Sequence, residues 1–416
     1  MSNRPAVVIG GGVVGAAAAY YLAKSGRKVV ILEKGTFGAG CSHANCGYVS
    51  PSHVLPLAQP GVLLPSMLSM LQSNSPFAIR FRFSPSLWSW LTKFALRCRR
   101  APMMQAAAGI HALLQSSRHL YSEIIAQEQM ECEFEERGLL FVFQDKPHFD
   151  EFGHVNELLA REFNVVAAPY VGEALNELEP ALKPGLAGGW LFGGDAHLRP
   201  DRLMTAWRTV LERMGVEIRE NCEFQKFTSG GKTATAAETS TDTIEAEDFL
   251  IAAGAWTPFL NDQLGCKIPI QPGKGYSMTM PRPEICPKFP MLLEQHHVGV
   301  TPWESGYRLG STMEFAGYDT RINEKRLGIL TRGAEVYLKT PHCEPILEKW
   351  YGWRPMTPDS TPYIDRSPKY GNVYVAAGHN MLGLSMSPGT GKLIAEIMND
   401  ETPHLDATRY SLKRKI

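Results

Sequence analysis

The sequence predicts an α/β protein: a doubly wound dinucleotide-binding domain with an interleaved α+β domain built on an antiparallel sheet. Three observations predict it. The first stretch, AVVIGGGVVGAAAAYYLAKSGRKVVILEK from Ala6 to Lys34, reads as strand, glycine turn, helix, and strand with an acid at its tip. Near the other end, NVYVAAGHNMLGLSMSPGTGKLIAEIM repeats strand, turn and helix, so the domain begun at residue 1 closes near the C-terminus. Between them PGKGYSMTM, HHVGVTPW and YRLGSTMEF alternate as antiparallel strands separated by Pro/Gly-rich turns, forming one wall of a pocket.

Each part of the first stretch has a job set by chemistry. Gly10, Gly12 and Gly15 give G-x-G-x-x-G after the apolar run Val7 to Ile9, and an Ala-rich helix runs on to Gly26. Gly10 lets the chain turn off the strand, Gly12 keeps side chains away from a pyrophosphate, and Gly15 lets helix and strand pack closely. The positive end of the helix faces the phosphates. Glu33, at the tip of the run Val29 to Leu32, is placed to accept hydrogen bonds from both ribose hydroxyls. An acid there disfavours a 2′-phosphate and therefore NADP.

The chain has 416 residues, 44% hydrophobic and 20% charged, enough for a large core and more than one domain. Lys plus Arg equals Asp plus Glu, 42 each, so no overall field draws nucleic acid. The eight cysteines are dispersed, with no C-x-x-C and no paired Cys/His spacing, which predicts free thiols in a reducing cytosol and no metal site. The N-terminus enters the first strand at once, leaving no room for a signal peptide, and no stretch approaches about 18 apolar residues.

After Glu33, GTFGAGCSHANCGYVSPS is a loop of small residues that can follow an extended ligand past the ribose, offering backbone N–H groups and the Ser42 hydroxyl; a plain surface loop is the other reading. From Leu55 to Arg100 the chain is apolar with basic and aromatic interruptions. Leu87, Trp90, Leu91 and Phe94 recur at helical spacing, with Lys93, Arg97, Arg99 and Arg100 near the end. This is either a helical lid resting on an anionic membrane surface or an ordinary packed helix with a basic C-terminus. A long helix from about Met104 to Gln129, a strand in Gly138 to Gln144 and a helix from about Lys146 to Phe163 follow. Gly188 to His197 reads as strand and turn, and Pro200 opens a helix capped by Gly215. Val216 to Ile218 and NCEFQKF read as a return to the dinucleotide-binding sheet, and Phe249 to Gly254 as an apolar strand whose last glycine brings backbone against a nucleotide. In the final unit, Val373 to Ala377 is a strand and Thr390 to Met398 a helix.

The blocks VVIGGGVVG with Glu33, SHANCGYVSP, PGKGYS, WRPMTPDSTPYI and GHNMLGLSMSPGTGKL follow one another through nearly the whole chain. In these blocks it resembles the FAD-dependent D-amino-acid dehydrogenases of bacteria, within the D-amino-acid oxidase and glycine oxidase family. The resemblance implies FAD rather than NAD. It also implies a Rossmann-like FAD-binding domain (residues 1–55, 190–262 and 350–416) and a substrate-binding domain with a helical lid (56–189 and 263–349). By the family pattern Gly10, Gly12, Val13 and Val14 lie on the pyrophosphate, Glu33 and Lys34 at the adenosine ribose, and Ser42, Asn45, Cys46 and Gly47 along the phosphates and flavin. Phe224 matches the position whose backbone meets the adenine, and Ala253, Gly254 and Trp256 match the second cofactor strand and its end. Gly378, Leu382, Gly383, Leu384 and Ser385 match the turn and helix start near flavin O2, where N–H groups stabilise negative charge on the reduced ring.

The same resemblance makes Arg354, between Trp353 and Pro355, the clamp for a substrate carboxylate, since a guanidinium offers two parallel hydrogen bonds; a surface ion pair is the plainer reading. Tyr276, His296, His379 and Asn380 are further pocket candidates. Met381 stands where glycine oxidases tend to carry an Arg, which turns the reading away from glycine and sarcosine. Non-covalent FAD is expected, with His43 and Cys46 the residues nearest to a covalent link.

The implied activity is oxidative deamination of D-amino acids: hydride transfer from Cα to flavin N5, then hydrolysis of the imino acid to a 2-oxo acid and ammonia, with no strong protein base. Beside it stand a cyclic D-imino acid such as D-proline or 4-hydroxy-D-proline, an N-methylated amino acid and, outside catalysis, a flavin-bearing assembly factor. The expected partners are the small substrate and an electron acceptor, quinone or other carrier. The expected setting is cytoplasmic with peripheral contact to the inner membrane.

Overall fold

The computed structural model describes residues 4–62, 77–80 and 83–414; the apolar stretch LLPSMLSMLQ lies outside them. The runs AVVI and VVIL are buried throughout, as strands of a parallel sheet covered on both faces must be. They form β1 (Ala6–Ile9) and β2 (Val29–Leu32), paired in parallel from Ala6↔Val29. With β9 (Glu217–Arg219), β13 (Asp248–Ile251), β19 (Tyr363–Arg366) and β20 (Val373–Ala377) they make a six-stranded sheet ordered β19-β20-β13-β1-β2-β9. Only β19 runs antiparallel to its neighbour, at the edge. The chain leaves β1 toward β2 on one side and returns to β13 on the other, so the turn after β1 opens at the topological switch point. Alternate residues of β1 feed two cores: Ala6 and Val8 pack under helices, Val7 and Ile9 toward a smaller sheet.

That smaller sheet is β10 (Phe224–Gly230), β11 (Thr233–Thr239) and β12 (Thr243–Glu245), all antiparallel. A larger sheet of nine strands comprises β4 (Phe77–Ile79), β5 (Leu139–Phe143), β6 (Ala168–Tyr170), β7 (Gly188–Phe192), β14 (Gln271–Met280), β15 (Met291–Leu293), β16 (Val298–Trp303), β17 (Gly306–Phe315) and β18 (Glu348–Met356). Its order is β18-β14-β17-β16-β15-β5-β7-β6, with β4 beside β17. As the alternation predicts, β14, β16 and β17 are antiparallel neighbours of one sheet. Two short strands, β3 (Tyr48–Val49) and β8 (Ala196–His197), pair apart from both sheets.

Three elements differ from expectation. NCEFQKF does not rejoin the dinucleotide-binding sheet: within β10 only Phe227 is buried, so the strand cannot be covered on both faces, and it pairs with β11 instead. β18 pairs with β14 from Gln271↔Met356 to Thr279↔Glu348, so residues 350–356 belong to the large sheet, as do 190–192 in β7. The last helix runs Gly383–Met398, straight through Pro388, rather than starting at Thr390. A proline frees the carbonyl four residues back, and the hydroxyls of Tyr121 and Ser387 donate to that Leu384 oxygen at 2.8 and 3.0 Å.

The helix Pro85–Arg97 is capped by the Ser84 hydroxyl, which accepts from the Leu87 N–H. It docks by burying Leu87 and Trp90, whose indole N–H donates to the Met356 carbonyl at 2.9 Å.

Candidate active site

The glycine turn has the geometry its sequence implies. Gly10 adopts φ +117°, and a β-carbon on it would lie 2.4 Å from the Ala252 carbonyl oxygen; one on Gly15 would lie 2.0 Å from that of Gly10. Gly12 caps the helix Val13–Lys24 with no side-chain bond, and the Val13 N–H donates to Ser42 Oγ at 2.9 Å. The Glu33 carboxylate is oriented by the N–H groups of Gly11 (2.8 Å) and Gly35 (3.0 Å). Lys34 Nζ sits 3.7 Å above the Trp256 ring, and burial lowers its pKa against the pull of Glu223 and Glu33. From Trp256 an edge-to-face contact leads to Trp353, whose indole N–H is buried without a partner. Phe224 stands at the start of β10, and Ala253 and Gly254 open the short helical turn Gly254–Leu260.

The loop after Ser42 crosses to the large sheet. Asn45 accepts the Gly47 N–H on its side-chain oxygen at 2.9 Å. Gly47, at φ +74°, passes so close to Leu198 that a β-carbon would meet its carbonyl oxygen at 2.0 Å. His43 pairs with Glu348 at 2.7 Å, and Cys46 Sγ lies against Gly299 and Gly310. From the other side, Ser385 donates to the Tyr48 carbonyl at 2.7 Å, and Leu382 and Gly383 begin the final helix.

A cavity of about 1160 Å³ opens between this loop and the large sheet, and Arg354 lines it. The Arg354 guanidinium donates to the Thr312 carbonyl at 2.6 Å. That carbonyl is turned toward it by a bulge in β17, where Ser311 and Thr312 take φ +123° and +55°. No carboxylate pairs with Arg354 among the described residues. Burial lowers its pKa, and the thiols of Cys41 and Cys46 are the groups that oppose this. Tyr276 also lines the cavity; burial, with its hydrogen bond to Glu314 at 2.9 Å, raises its pKa. Walls come from Leu87, Leu91 and Phe94 of the docked helix and, at the far end, from Phe141, Phe152 and Phe192.

Of the predicted site residues, Arg354, Tyr276, Asn45, Cys46, Gly47, Leu382, Leu384 and Ser385 converge on this cavity. Of the five residues predicted for the substrate pocket, three do not line it. His296 turns to the Tyr337 hydroxyl at 3.3 Å, while its neighbour His297, in a left-handed turn, lines the cavity. His379 is buried against Thr390 Oγ1 at 3.0 Å, and burial pushes its pKa down to about 3. Asn380 spends its amide on the turn: its oxygen accepts from the Thr357 N–H at 2.8 Å, and its nitrogen donates to the Gly378 carbonyl at 2.9 Å. Gly378 itself, at φ +86°, leaves room for Thr357. Residues not foreseen include Thr312, His53 and Glu294. The last two line the far end, where burial alone pushes Glu294 up to about 7.

A glycine cradle at a switch point, leading to a cavity that holds an arginine with no acid partner among the described residues, is the arrangement of a dinucleotide-binding enzyme. A family model for FAD dependent oxidoreductases (DAO) matches residues 6–397, and the chain belongs to that family. It is similar to the D-amino acid dehydrogenases of Granulibacter bethesdensis, at 31% identity over 98% of this chain and 99% of that protein, and of Paramagnetospirillum magneticum, at 32% over 94% of each. Among solved structures it shares its fold with glycine oxidase from Geobacillus kaustophilus, at TM-score 0.81 and 23% identity over 99% of both chains. L-proline dehydrogenase from P. horikoshii has the same fold, at TM-score 0.73 and 21% identity over 98% of this chain and 96% of that one.

FAD is thus the cofactor, and the residues present fit it. The close-packed glycines leave the helix start open to a pyrophosphate, Glu33 is oriented at the strand tip, and Trp353 holds an unused buried donor.

Proposed function

We propose that this enzyme oxidatively deaminates D-amino acids to 2-oxo acids and ammonia, acting as a dehydrogenase. The observation that carries the reading is Arg354: a guanidinium inside a largely apolar cavity, fixed by one carbonyl and lacking an acid partner among the described residues. Such a group calls for an anion, and a carboxylate matches its fork. Handedness comes from the relatives, which are named D-amino acid dehydrogenases. When bound, FAD supplies the acceptor for a hydride. Arg354 holds the substrate carboxylate and fixes the direction of Cα, while the apolar walls keep water from the reacting carbon. No side chain is assigned as a base, because the substrate amine enters neutral. The imino acid is hydrolysed in water. The cofactor-loop residues Ser42, Asn45, Cys46 and Gly47 and the turn Gly378 to Ser385 would hold the flavin, without a covalent bond.

An electron acceptor, quinone or another carrier, takes the electrons at a membrane surface. Phe83, Trp88 and Leu96 are exposed on and beside the helix Pro85–Arg97, with Arg99 and Arg100 following, and this supports peripheral contact. No helix among the described residues is long and apolar enough to cross a membrane.

The deciding experiment is anaerobic mixing of the yellow protein with a panel of D- and L-amino acids. Flavin bleaching by D-amino acids and not by their L-enantiomers is expected. Bleaching by D-proline alone moves the assignment to cyclic imino acids, N-methylglycine alone to N-methylated amines, and silence across the panel leaves a flavin-bearing assembly factor.

A further inference from the structure

Consecutive carbonyls of the cofactor loop are held from outside the dinucleotide-binding sheet. The Ala44 oxygen accepts from Ser277 Oγ at 2.7 Å, the Asn45 oxygen from Arg308 Nη1 at 2.9 Å, and the Cys46 oxygen from Thr301 Oγ1 at 2.6 Å. These donors stand on the adjacent strands β14, β17 and β16, and Thr301 is the register partner of Arg308. Gly299 and Gly310, opposite each other, let the loop lie on the sheet, since a β-carbon on either would come within 2.8 Å of Cys46 Sγ.

A trans peptide points its N–H opposite to its C=O. Drawing these carbonyls onto the sheet therefore turns the N–H groups of Asn45, Cys46 and Gly47 away from it. Gly47 donates to the Asn45 side chain. The N–H groups of Asn45 and Cys46 have no acceptor among the described residues, and both residues line the cavity. Donors set this way cost free energy unless a ligand accepts from them.

Arg308 is the most constrained of the three anchors. It is 1% exposed, its Nε donates to Thr279 Oγ1 at 2.9 Å, and its guanidinium lies 4.8 Å over the Trp303 ring. Glu348 and Asp201 stand 3.6 and 4.0 Å from Nη2, so the charge is fixed in place.

We propose that Arg308 is a positioning residue for the flavin: with Ser277 it presets the Asn45 and Cys46 N–H groups as donors to the isoalloxazine, so the large sheet tunes cofactor affinity and reduction potential. Preset donors and a fixed cation favour the more negative, reduced ring. The inference rests on FAD and not on the choice of amino acid.

The test uses purified holoprotein and no substrate: FAD affinity by reconstitution, and reduction potential by dye equilibration with a chemical reductant. Arg308→Met is expected to weaken FAD binding on the order of tenfold and to shift the potential to more negative values. Arg308→Lys should recover part of both, because it keeps the charge but cannot reach Thr279 and Asn45 in one plane. Ser277→Ala, a milder change, should shift both quantities in the same direction by less, and it decides the matter if Arg308→Met does not fold. Unchanged potentials in the folded variants, with or without weaker binding, reduce these residues to structural supports and overturn the proposal. That result would leave the reading of Arg354 untouched, and a failed amino-acid screen would leave this one standing.

Discussion

The guanidinium of Arg354 lies over Gly275 of the neighbouring strand, where a β-carbon would come within 2.6 Å of Cζ. The absence of a side chain at Gly275 is what lets the arginine fold back to Thr312. Gly275→Ala should therefore displace the guanidinium without disturbing the cradle. The expected result is a fall in kcat/KM of about 2 kcal/mol with FAD content and Tm near wild type. Steady-state kinetics beside a thermal melt checks it.

Arg354→Leu removes the proposed clamp itself. The fold and FAD should survive, while kcat/KM falls by roughly 3 kcal/mol or more. Arg354→Lys should recover only part, because an ammonium lacks the fork. Comparison with an amine lacking the carboxylate is decisive: wild type should discriminate strongly against it and Arg354→Leu should not. An unchanged ratio would mean that another residue reads the carboxylate.

Glu33 is held at the strand tip by two backbone N–H groups. Glu33→Arg loses the proposed ribose acceptor and misplaces a charge, which should cost on the order of 3 kcal/mol in FAD binding. Flavin content after gel filtration measures this, and full occupancy would sink the ribose assignment.

The His43–Glu348 pair gives the cofactor loop a pH window. The hydrogen bond to Glu348 raises the His43 pKa above 6.5, and the same bond lowers Glu348 below 4.5. The histidine contribution is complete below 6.5 and is lost as pH rises through its higher folded value; that of Glu348 is present above 4.5 and is lost as pH falls through its lower one. FAD release should quicken on the alkaline side, and His43→Gln should remove that slope. Release rates followed by flavin fluorescence across pH would show it.

The helix Pro85–Arg97 presents exposed Trp88 and Leu96 beside the basic Arg99 and Arg100. Sedimentation with anionic vesicles should carry the protein down at low salt and release it at high salt. Indifference to anionic lipid would reduce the helix to a packed wall of the cavity.

Much of the site was legible because its first half is local. Gly10, Gly12, Gly15 and Glu33 act through the turn they occupy and the strands that flank it, and those are encoded in consecutive residues. Arg354 was legible through its block, WRPMTPDSTPYI. His296 and His297 show where such reading stops: of two consecutive histidines the first meets Tyr337, and only the second, whose backbone is left-handed, lines the cavity.

The sequence by itself determined the cradle, the alternating strands of the large sheet and the cofactor class, since period and glycine placement act over a few residues. Tertiary structure decided the rest. Pro388 reads as a helix breaker until Tyr121, far away in sequence, donates to the carbonyl it frees. Arg308 is an ordinary strand residue until the fold lays Asn45 across it. Arg354 turns into the cavity because a bulge on β17 brings the Thr312 carbonyl toward it and Gly275 leaves it room. Hydrogen bonds between residues tens to hundreds of positions apart leave no periodic trace in the chain, so only the packed structure shows which groups they hold and which they leave free.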